Sequence, residues 1–276
     1  MDNITFTKMQ GAGNDFVIID NRRYKFRLND LIDLAPRLCD RKFGIGADGL
    51  LALTNPQVDG LDYTMIYRNP DGSDAGMCGN GARCLAQYAF ENGYGSDQRF
   101  NVHDNIYRAR VRGNGIIEVA FPMTTQIDRI NLDDQPMYQV YTGTEHIVME
   151  EPVADNLKQE KKLRERGRHF RLHDYFQPLG TNVNFIHGSG SKELNVQTYE
   201  RGVEDLTLAC GTGAIASALV WHSIQNDGRK SRTEYTVHTK GGKLSVAFSY
   251  DPDSNTYSDI KLKGKVHVVF KGEFYL

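Results

Sequence analysis

Two cysteines head the same short signature, Cys78-Gly79-Asn80-Gly81-Ala82 and Cys210-Gly211-Thr212-Gly213-Ala214. Each signature opens an apolar stretch of helical length, and Tyr67 and Tyr199 precede the two cysteines at the same separation. The chain therefore reads as two similar halves, each ending a strand in a loop that presents a thiol at a helix N-terminus. The first backbone N–H groups of a helix are unpaired and its dipole is positive there, so an anion is favoured, whether thiolate or substrate carboxylate. The glycines let the backbone approach a ligand closely. A favourable helix terminus contributes up to roughly 2 kcal/mol, enough to draw a thiol toward neutral pH, where it serves as base in one direction and acid in the other. Two thiols delivered symmetrically suit a reaction with one acid and one base on opposite faces of a single carbon, which is racemisation or epimerisation. A phosphate-binding turn is the plainer alternative, but no Gly-Lys-Ser/Thr continuation follows either signature, so a nucleotide loop is disfavoured.

The elements that must carry these thiols follow from pattern. In the first half, Ile4–Met9 alternates apolar and polar residues, and Phe16–Ile19, Leu50–Leu53 and Tyr63–Tyr67 read as further strands. A helix is expected from Leu28 to Cys39, capped by Asn29 or Asp30, and another from Gly81 to Asn92, with Gly93 at its C′ position. Asn69-Pro70-Asp71-Gly72 is a turn, and Val102-His103, Tyr107–Val111 and Ile116–Phe121 form hairpins ending at Pro122. The second half repeats this grammar, with a strand at Leu194–Tyr199, a helix at Gly213–Gln225, and Val237-His238 through Val246 echoing Val102-His103 through Val111. Ala214–Trp221 is apolar almost all round, so this helix must be buried on most sides, inside a curled antiparallel sheet. The expected fold is α+β, with two pseudo-symmetric, barrel-like lobes, each a curled antiparallel sheet around a central helix, and the active site in the cleft between them. A join near Pro122–Thr125 divides the lobes. The charged segment Glu150–Arg171 is expected to be a surface helix and loop specific to the second lobe.

Bulk properties exclude several classes. The chain has 276 residues, 39 % hydrophobic and 25 % charged, ample for a core, and its formal net charge of −2 points away from nucleic acid and anionic membranes. No apolar run approaches the roughly 18–20 residues that span a bilayer. The start Met1-Asp2-Asn3-Ile4 lacks the basic-then-apolar layout of a secretion signal, which makes the cytoplasm the default location. Lys158–Arg171 is broken by Glu160 and Glu165 and reads as a solvated helix face. With four cysteines, no C-x-x-C pair and no clustered histidines, a metal site is not expected. Cys39 and Cys84 read as small core residues. A structural bridge between Cys78 and Cys210 is the competing reading of the paired thiols.

Several blocks, in order along nearly the whole chain, resemble the diaminopimelate epimerase family. They are Lys8–Phe16, Gly44–Gly49, Asn69–Ser73 with Cys78–Cys84, Gly180–Phe185, and Tyr199–Gly202 with Cys210–Gly213. The resemblance implies a two-lobed fold of the kind expected above, with the C-terminal strand Val266–Phe270 returning to the first lobe. The lobes are then 1–122 plus 265–276, and 123–264. It implies interconversion of LL- and meso-diaminopimelate for lysine and peptidoglycan synthesis, with no cofactor or metal, in a homodimer. By motif, Cys78 and Cys210 are the acid/base pair, and the backbone amides of Gly79, Asn80, Gly211 and Thr212 hold the carboxylate at the reacting carbon. Asn14, Asn69, Asn182, Glu200 and Arg201 bind the amino and carboxyl groups of the substrate, for which a guanidinium fork and carboxamides are suited. His146, with Glu200, is implied to tune a catalytic thiol.

The chain departs from the family pattern at Gly49, where some members carry a glutamine, at Thr144-Glu145 before His146, and at Leu206 near the second cysteine. Both thiols are spared, so the departures bear on affinity more than on reaction type. Two other readings stand beside the epimerase. One is a cysteine-pair racemase of another amino or imino acid. The other is a binding or redox-switch protein that uses its thiols only to form a disulfide.

Overall fold

The computed structural model describes residues 3–74, 76–225 and 229–276; Met1 and Asp2, in the stretch read for a secretion leader, lie outside them. In chain order the elements are β1 (Asn3–Gly11), β2 (Asn14–Asp20), α1 (Asn21–Tyr24), α2 (Leu28–Cys39), β3 (Gly49–Thr54), β4 (Tyr63–Arg68), α3 (Gly79–Glu91), β5 (Asp97–Val102), β6 (Asn105–Val111) and β7 (Ile116–Ala120). There follow β8 (Ile127–Leu132), β9 (Gln135–Tyr141), β10 (Glu145–Glu150), α4 (Glu160–Arg171), β11 (Asn182–Gly190), β12 (Glu193–Glu200), β13 (Asp205–Thr207) and α5 (Gly211–Gln225). The chain ends with β14 (Ser231–Thr239), β15 (Gly242–Asp251), β16 (Thr256–Lys265) and β17 (His267–Tyr275). Two compact units result, Met1–Ala120 with Lys263–Leu276, and Phe121–Leu262.

In the first unit the strands pair in the order β17-β1-β2-β3-β4-β5-β6-β7. Helix α3 packs on β1 and β2 toward one end of that order and on β6 and β7 at the other, so the sheet curls around it. Small residues permit the close approach: Gly81, Ala82, Ala86 and Ala89 are all buried. Helix α2 covers the other face. Its Leu31, Leu34, Ala35 and Leu38 form one cluster with Ile4, Phe6, Val17, Ile19 and Leu50. Strand β2 is thus buried on both faces, which is why Phe16-Val17-Ile18-Ile19 is an unbroken apolar run rather than an alternation. The cap of α2 is Arg27, whose backbone N–H donates to the Asp30 carboxylate at 2.7 Å. The acid expected to cap the helix acts instead from within its first turn.

The second unit repeats the plan with pairing in the order β8-β9-β10-β11-β12-β14-β15, and β13 also on β12. Helix α5, buried from Gly211 to His222, packs on all seven of those ordered strands. Helix α4 lies on the outer face. Its Leu163 and Phe170 join Ile147, Met149, Val183, Phe185 and Tyr199, while Lys161, Lys162, Arg164, Glu165 and Arg168 are exposed.

The sheets are antiparallel in most pairs, as expected, but each also contains two parallel pairs: β2 with β3 and β4 with β5, then β10 with β11 and β12 with β14. Each of these four pairs is joined through a helix, α2, α3, α4 and α5 in turn, which is the connection that parallel neighbours require. This corrects one expectation. The charged segment around α4 is no insertion peculiar to the second half, because α4 occupies the place in its unit that α2 occupies in the first. Only a narrow apolar stripe betrays it amid a charged sequence.

A Cβ at Gly188 of β11 would collide with the indole of Trp221 on α5, itself only 8 % exposed. Gly188→Ala is therefore expected to cost about 1–3 kcal/mol by overpacking. Chemical denaturation followed by the fluorescence of this single tryptophan checks it; an unchanged midpoint would show that α5 yields freely.

Candidate active site

Cys78 is the N-cap residue of α3. Its backbone is extended, its Sγ accepts the Gly81 N–H at 3.4 Å, and its carbonyl accepts the Ala82 N–H at 2.8 Å. Cys210 does the same at the head of α5: Sγ accepts from Gly213 N at 3.4 Å, and the carbonyl accepts from Ala214 N at 2.9 Å. The repeated signature thus encodes one repeated geometry, a sulfur capping a buried helix. Gly79 and Asn80 are the first residues of α3, and Gly211 and Thr212 those of α5. The thiols of Cys39 and Cys84 are free. Burial pushes the Cys39 thiol up to about 12 and the Cys84 thiol higher still, consistent with inert core positions.

Around Cys78, Asn14 is the organising group. Its Nδ2 donates to Asp48 Oδ2 at 2.8 Å, which turns Oδ1 toward Asn80 Nδ2 at 3.3 Å and the Cys78 thiol at 3.7 Å. Asp48 is held in turn by Arg41 at 2.8 Å, and Asp15 joins Arg41 and the buried Lys8, at 2.8 and 2.7 Å. Burial raises the Asp15 carboxyl, but its bonds to Arg41 and Lys8 outweigh that and hold it down at about 2. Asn69 stands in its own turn, with Nδ2 donating to Ser73 Oγ at 3.0 Å. Gly49 admits no side chain: a Cβ would strike the Tyr67 ring and lie 2.8 Å from the Arg68 carbonyl.

Around Cys210 the chain of contacts is different. Thr212 Oγ1 lies 3.5 Å from Cys210 Sγ and 3.0 Å from His146 Nε2. His146 is fully buried and touches the hydroxyls of Thr212 and Thr144. Its tautomer follows from its neighbours. Thr198 Oγ1 donates to Asn184 Oδ1 at 2.9 Å, so Asn184 Nδ2 faces both the Ile147 carbonyl at 2.9 Å and His146 Nδ1 at 3.0 Å. Nδ1 is then the acceptor and Nε2 carries the hydrogen. Burial, with Arg201 adding to it, lowers the His146 pKa to about 3, so the ring is neutral at physiological pH. It donates to the threonine hydroxyls and leaves the Thr212 hydrogen available to Cys210.

The distal residues form one network in the second unit. Asn182 Nδ2 donates to the Glu145 carbonyl at 2.9 Å and Thr144 Oγ1 at 3.3 Å, while its Oδ1 receives the Arg201 N–H at 2.9 Å. Arg201 Nη1 turns back to the Leu179 carbonyl at 3.0 Å. Glu200, half-buried, ends β12 beside it. Each unit therefore gathers its own share of the anticipated residues. Within them, Asp48, Asn184, Thr198 and Thr142, whose Oγ1 donates to the Thr212 carbonyl at 3.0 Å, are supports that the sequence reading missed. Alternation offered a signal for one of them, since Asn182 and Asn184 point to the same face of β11.

Two α+β units whose central helices are each capped by a cysteine, in a chain with the following relatives, make this an isomerase of the racemase and epimerase class. Among solved structures the fold is shared with a PhzF-family phenazine biosynthesis protein of Bacillus anthracis (TM-score 0.75, 13 % identity, 100 % of both chains). It is shared also with a hydroxyproline epimerase of Agrobacterium vitis (TM-score 0.69, 11 % identity, 100 % of this chain and 94 % of that one). The family model described as "Diaminopimelate epimerase" matches residues 6–105 and 138–266. Proteins named diaminopimelate epimerase from Flavobacterium psychrophilum and Aquifex aeolicus are each 37 % identical, over 96 % and 97 % of this chain and 97 % and 96 % of theirs. The chain belongs to the diaminopimelate epimerase family.

The buried histidines carry a pH signature. In the unfolded chain they take a proton below about pH 6.5, whereas folded His146 resists down to about 3 and His222, lowered by burial, to about 4. The unfolded state binds more protons in that window, so stability is lost as pH falls from about 6.5 toward 4. Denaturation midpoints measured between pH 4 and 7 are expected to slope less in His146→Asn than in the wild type. Equal slopes would mean that His146 is already charged in the fold.

Proposed function

We propose that this protein epimerises LL-2,6-diaminopimelate to meso-diaminopimelate at one α-carbon by a cofactor-independent two-base reaction. The observation that carries the reading is the identical capping geometry of Cys78 and Cys210, in a chain of this family. One cysteine, as thiolate, takes the α-hydrogen as a proton and leaves the electron pair on the α-carbon. The other, as thiol, returns a proton to the opposite face. One C–H bond breaks and one forms, and the cysteines end with exchanged protonation states, so no redox partner is needed. Charge developing on the α-carboxylate is met by the backbone amides of Gly79, Asn80, Gly211 and Thr212. Asn14, Asn69, Asn182, Glu200 and Arg201 take the groups of the substrate, and its distal zwitterion needs both a cation and acceptors. His146 acts through the Thr212 hydroxyl, 3.0 Å away, which in turn faces Cys210 at 3.5 Å.

The place of such an enzyme is the supply of lysine and peptidoglycan precursors in the cytoplasm, and among the described residues no helix is long and apolar enough to cross a membrane. A homodimer is supported by β17, where Val268, Val269 and Phe270 are 38–54 % exposed on a strand next to β1.

Incubation with LL-diaminopimelate in deuterated water tests the reaction. The expected outcome is meso product with deuterium at the α-carbon, and turnover lower by about 10²–10⁴-fold in Cys78→Ala and Cys210→Ala. Thr212→Val is expected to lose about tenfold in kcat, the scale of a hydrogen bond to a charged group, and Thr212→Ser to keep it. Exchange into a different amino or imino acid alone would overturn the substrate assignment, and turnover surviving in both alanine variants would overturn the two-thiol chemistry. Sedimentation of Phe270→Glu, expected as a monomer against a wild-type dimer, tests the assembly.

A further inference from the structure

Arg83 sits in the second turn of α3 and is fully buried. Burying a guanidinium without a counter-charge costs several kcal/mol, so such groups are normally paired with a carboxylate. Among the described residues Arg83 has one polar partner, Asn80 Oδ1 at 2.6 Å, and its Nε and Nη1 meet no acceptor. Charged groups on the surrounding strands are otherwise engaged or exposed. Lys8 of β1 and Asp15 of β2 bind one another, Arg68 of β4 pairs with Asp74, Glu118 of β7 pairs with Arg112, and Arg108 and Arg110 of β6 are exposed. The anions that can answer Arg83 are the thiolates of its own helix, Cys78 and Cys84, and burial keeps Cys84 protonated. Burial lowers the guanidinium itself only to about 10, so it is a cation at physiological pH. Room for it is reserved by Gly11 of β1, where a Cβ would lie 3.3 Å from Arg83 Nη2.

We propose that Arg83 is a positioning residue of the Cys78 site: it clamps Asn80 and supplies the fixed buried charge against which the Cys78 thiolate forms. The inference rests on the proposed acid/base role of Cys78, and it extends that role by making the two thiols unequal. Cys78 alternates between a thiol that gives its hydrogen to Asn14 Oδ1 and a thiolate that answers Arg83 and the Gly81 N–H. Beside Cys210 stands the Thr212 hydroxyl, backed by the neutral imidazole of His146. With Arg83 as its fixed charge, Cys78 is the thiol expected to ionise first in the free enzyme.

The test is the pH dependence of iodoacetamide alkylation of the reduced, substrate-free enzyme, with labelled peptides resolved by mass spectrometry so that each cysteine reports separately. In the wild type the Cys78 midpoint is expected below that of Cys210. In Arg83→Met it should rise, with Cys78 alkylation at pH 7 falling about tenfold, the effect of one neighbouring charge, while Cys210 stays unchanged. Arg83→Lys, which keeps the charge, should retain most of the wild-type profile. A wild-type Cys78 midpoint at or above that of Cys210 overturns the proposal even if the methionine variant fails to fold. So does a folded Arg83→Met with an unshifted Cys78 profile. Because alkylation is read without substrate, failure of the epimerase assignment would leave this outcome standing and separately measurable.

Discussion

Each central helix starts by spending a sulfur atom on a backbone N–H, at 3.4 Å in both copies, and much of the architecture compensates for that choice. Helices prefer Ser, Thr, Asp or Asn at this position, and losing a good cap costs about 0.5–2 kcal/mol. A thiol is a weak acceptor, so it leaves the helix start short of negative charge. That deficit is what a reactive thiolate or a substrate carboxylate can fill. The stability forgone at the cap is recovered by burial. Gly211–His222 lie wholly within the second unit, and Gly79–Ala86 within the first, where apolar area returns roughly 25 cal/mol per Å². Encasing the helix also fixes where its first turn points, so the same sheet that stabilises the helix aims the thiol.

The two cysteines share a capping geometry but differ in the side chains beside them. Asp48 fixes Asn14, whose carbonyl oxygen faces Cys78, and Arg83 lies beneath Asn80. At Cys210 an Asn184–His146–Thr212 chain delivers a hydroxyl, and burial keeps the imidazole in it uncharged. A reversible reaction needs each group to hold a proton half the time without holding it tightly. The repeated signature supplies the common cap, and the side chains that the surrounding strands bring to it differ between the two units.

Much of this was legible because it is written in local pattern. The doubled signature, the all-round apolar Ala214–Trp221, the breaker Gly93, which has φ of +97°, and the strand runs all rest on residues near one another in sequence. Less legible were features that depend on partners far along the chain. The parallel pairing of β4 with β5 or of β12 with β14 leaves no mark in the strands themselves. Asn184 and Asp48 read as ordinary strand and turn residues until their partners, 38 and 34 positions away, are in place. Helix α4 reads as a surface helix, but its place as the counterpart of α2 was hidden because so few of its residues, Leu163, Gly167 and Phe170, are buried. Arg83 was visible as part of a motif, but a basic residue in a helix announces nothing about burial.

Gly49 shows how packing supports such a site. The space beside Gly49 is taken by the Tyr67 ring, which sits edge-on to Phe16 with centroids 5.7 Å apart. The Tyr67 hydroxyl reaches the Asp48 carbonyl at 3.4 Å, and Asp48 is the residue that holds Asn14. Loss of a side chain at position 49 therefore leaves no cavity, which would otherwise cost stability in proportion to its volume. The tyrosine fills it and braces the same aspartate. An aromatic from β4 thus braces, through Asp48, the orientation of Asn14 beside Cys78, and packing maintains the geometry there.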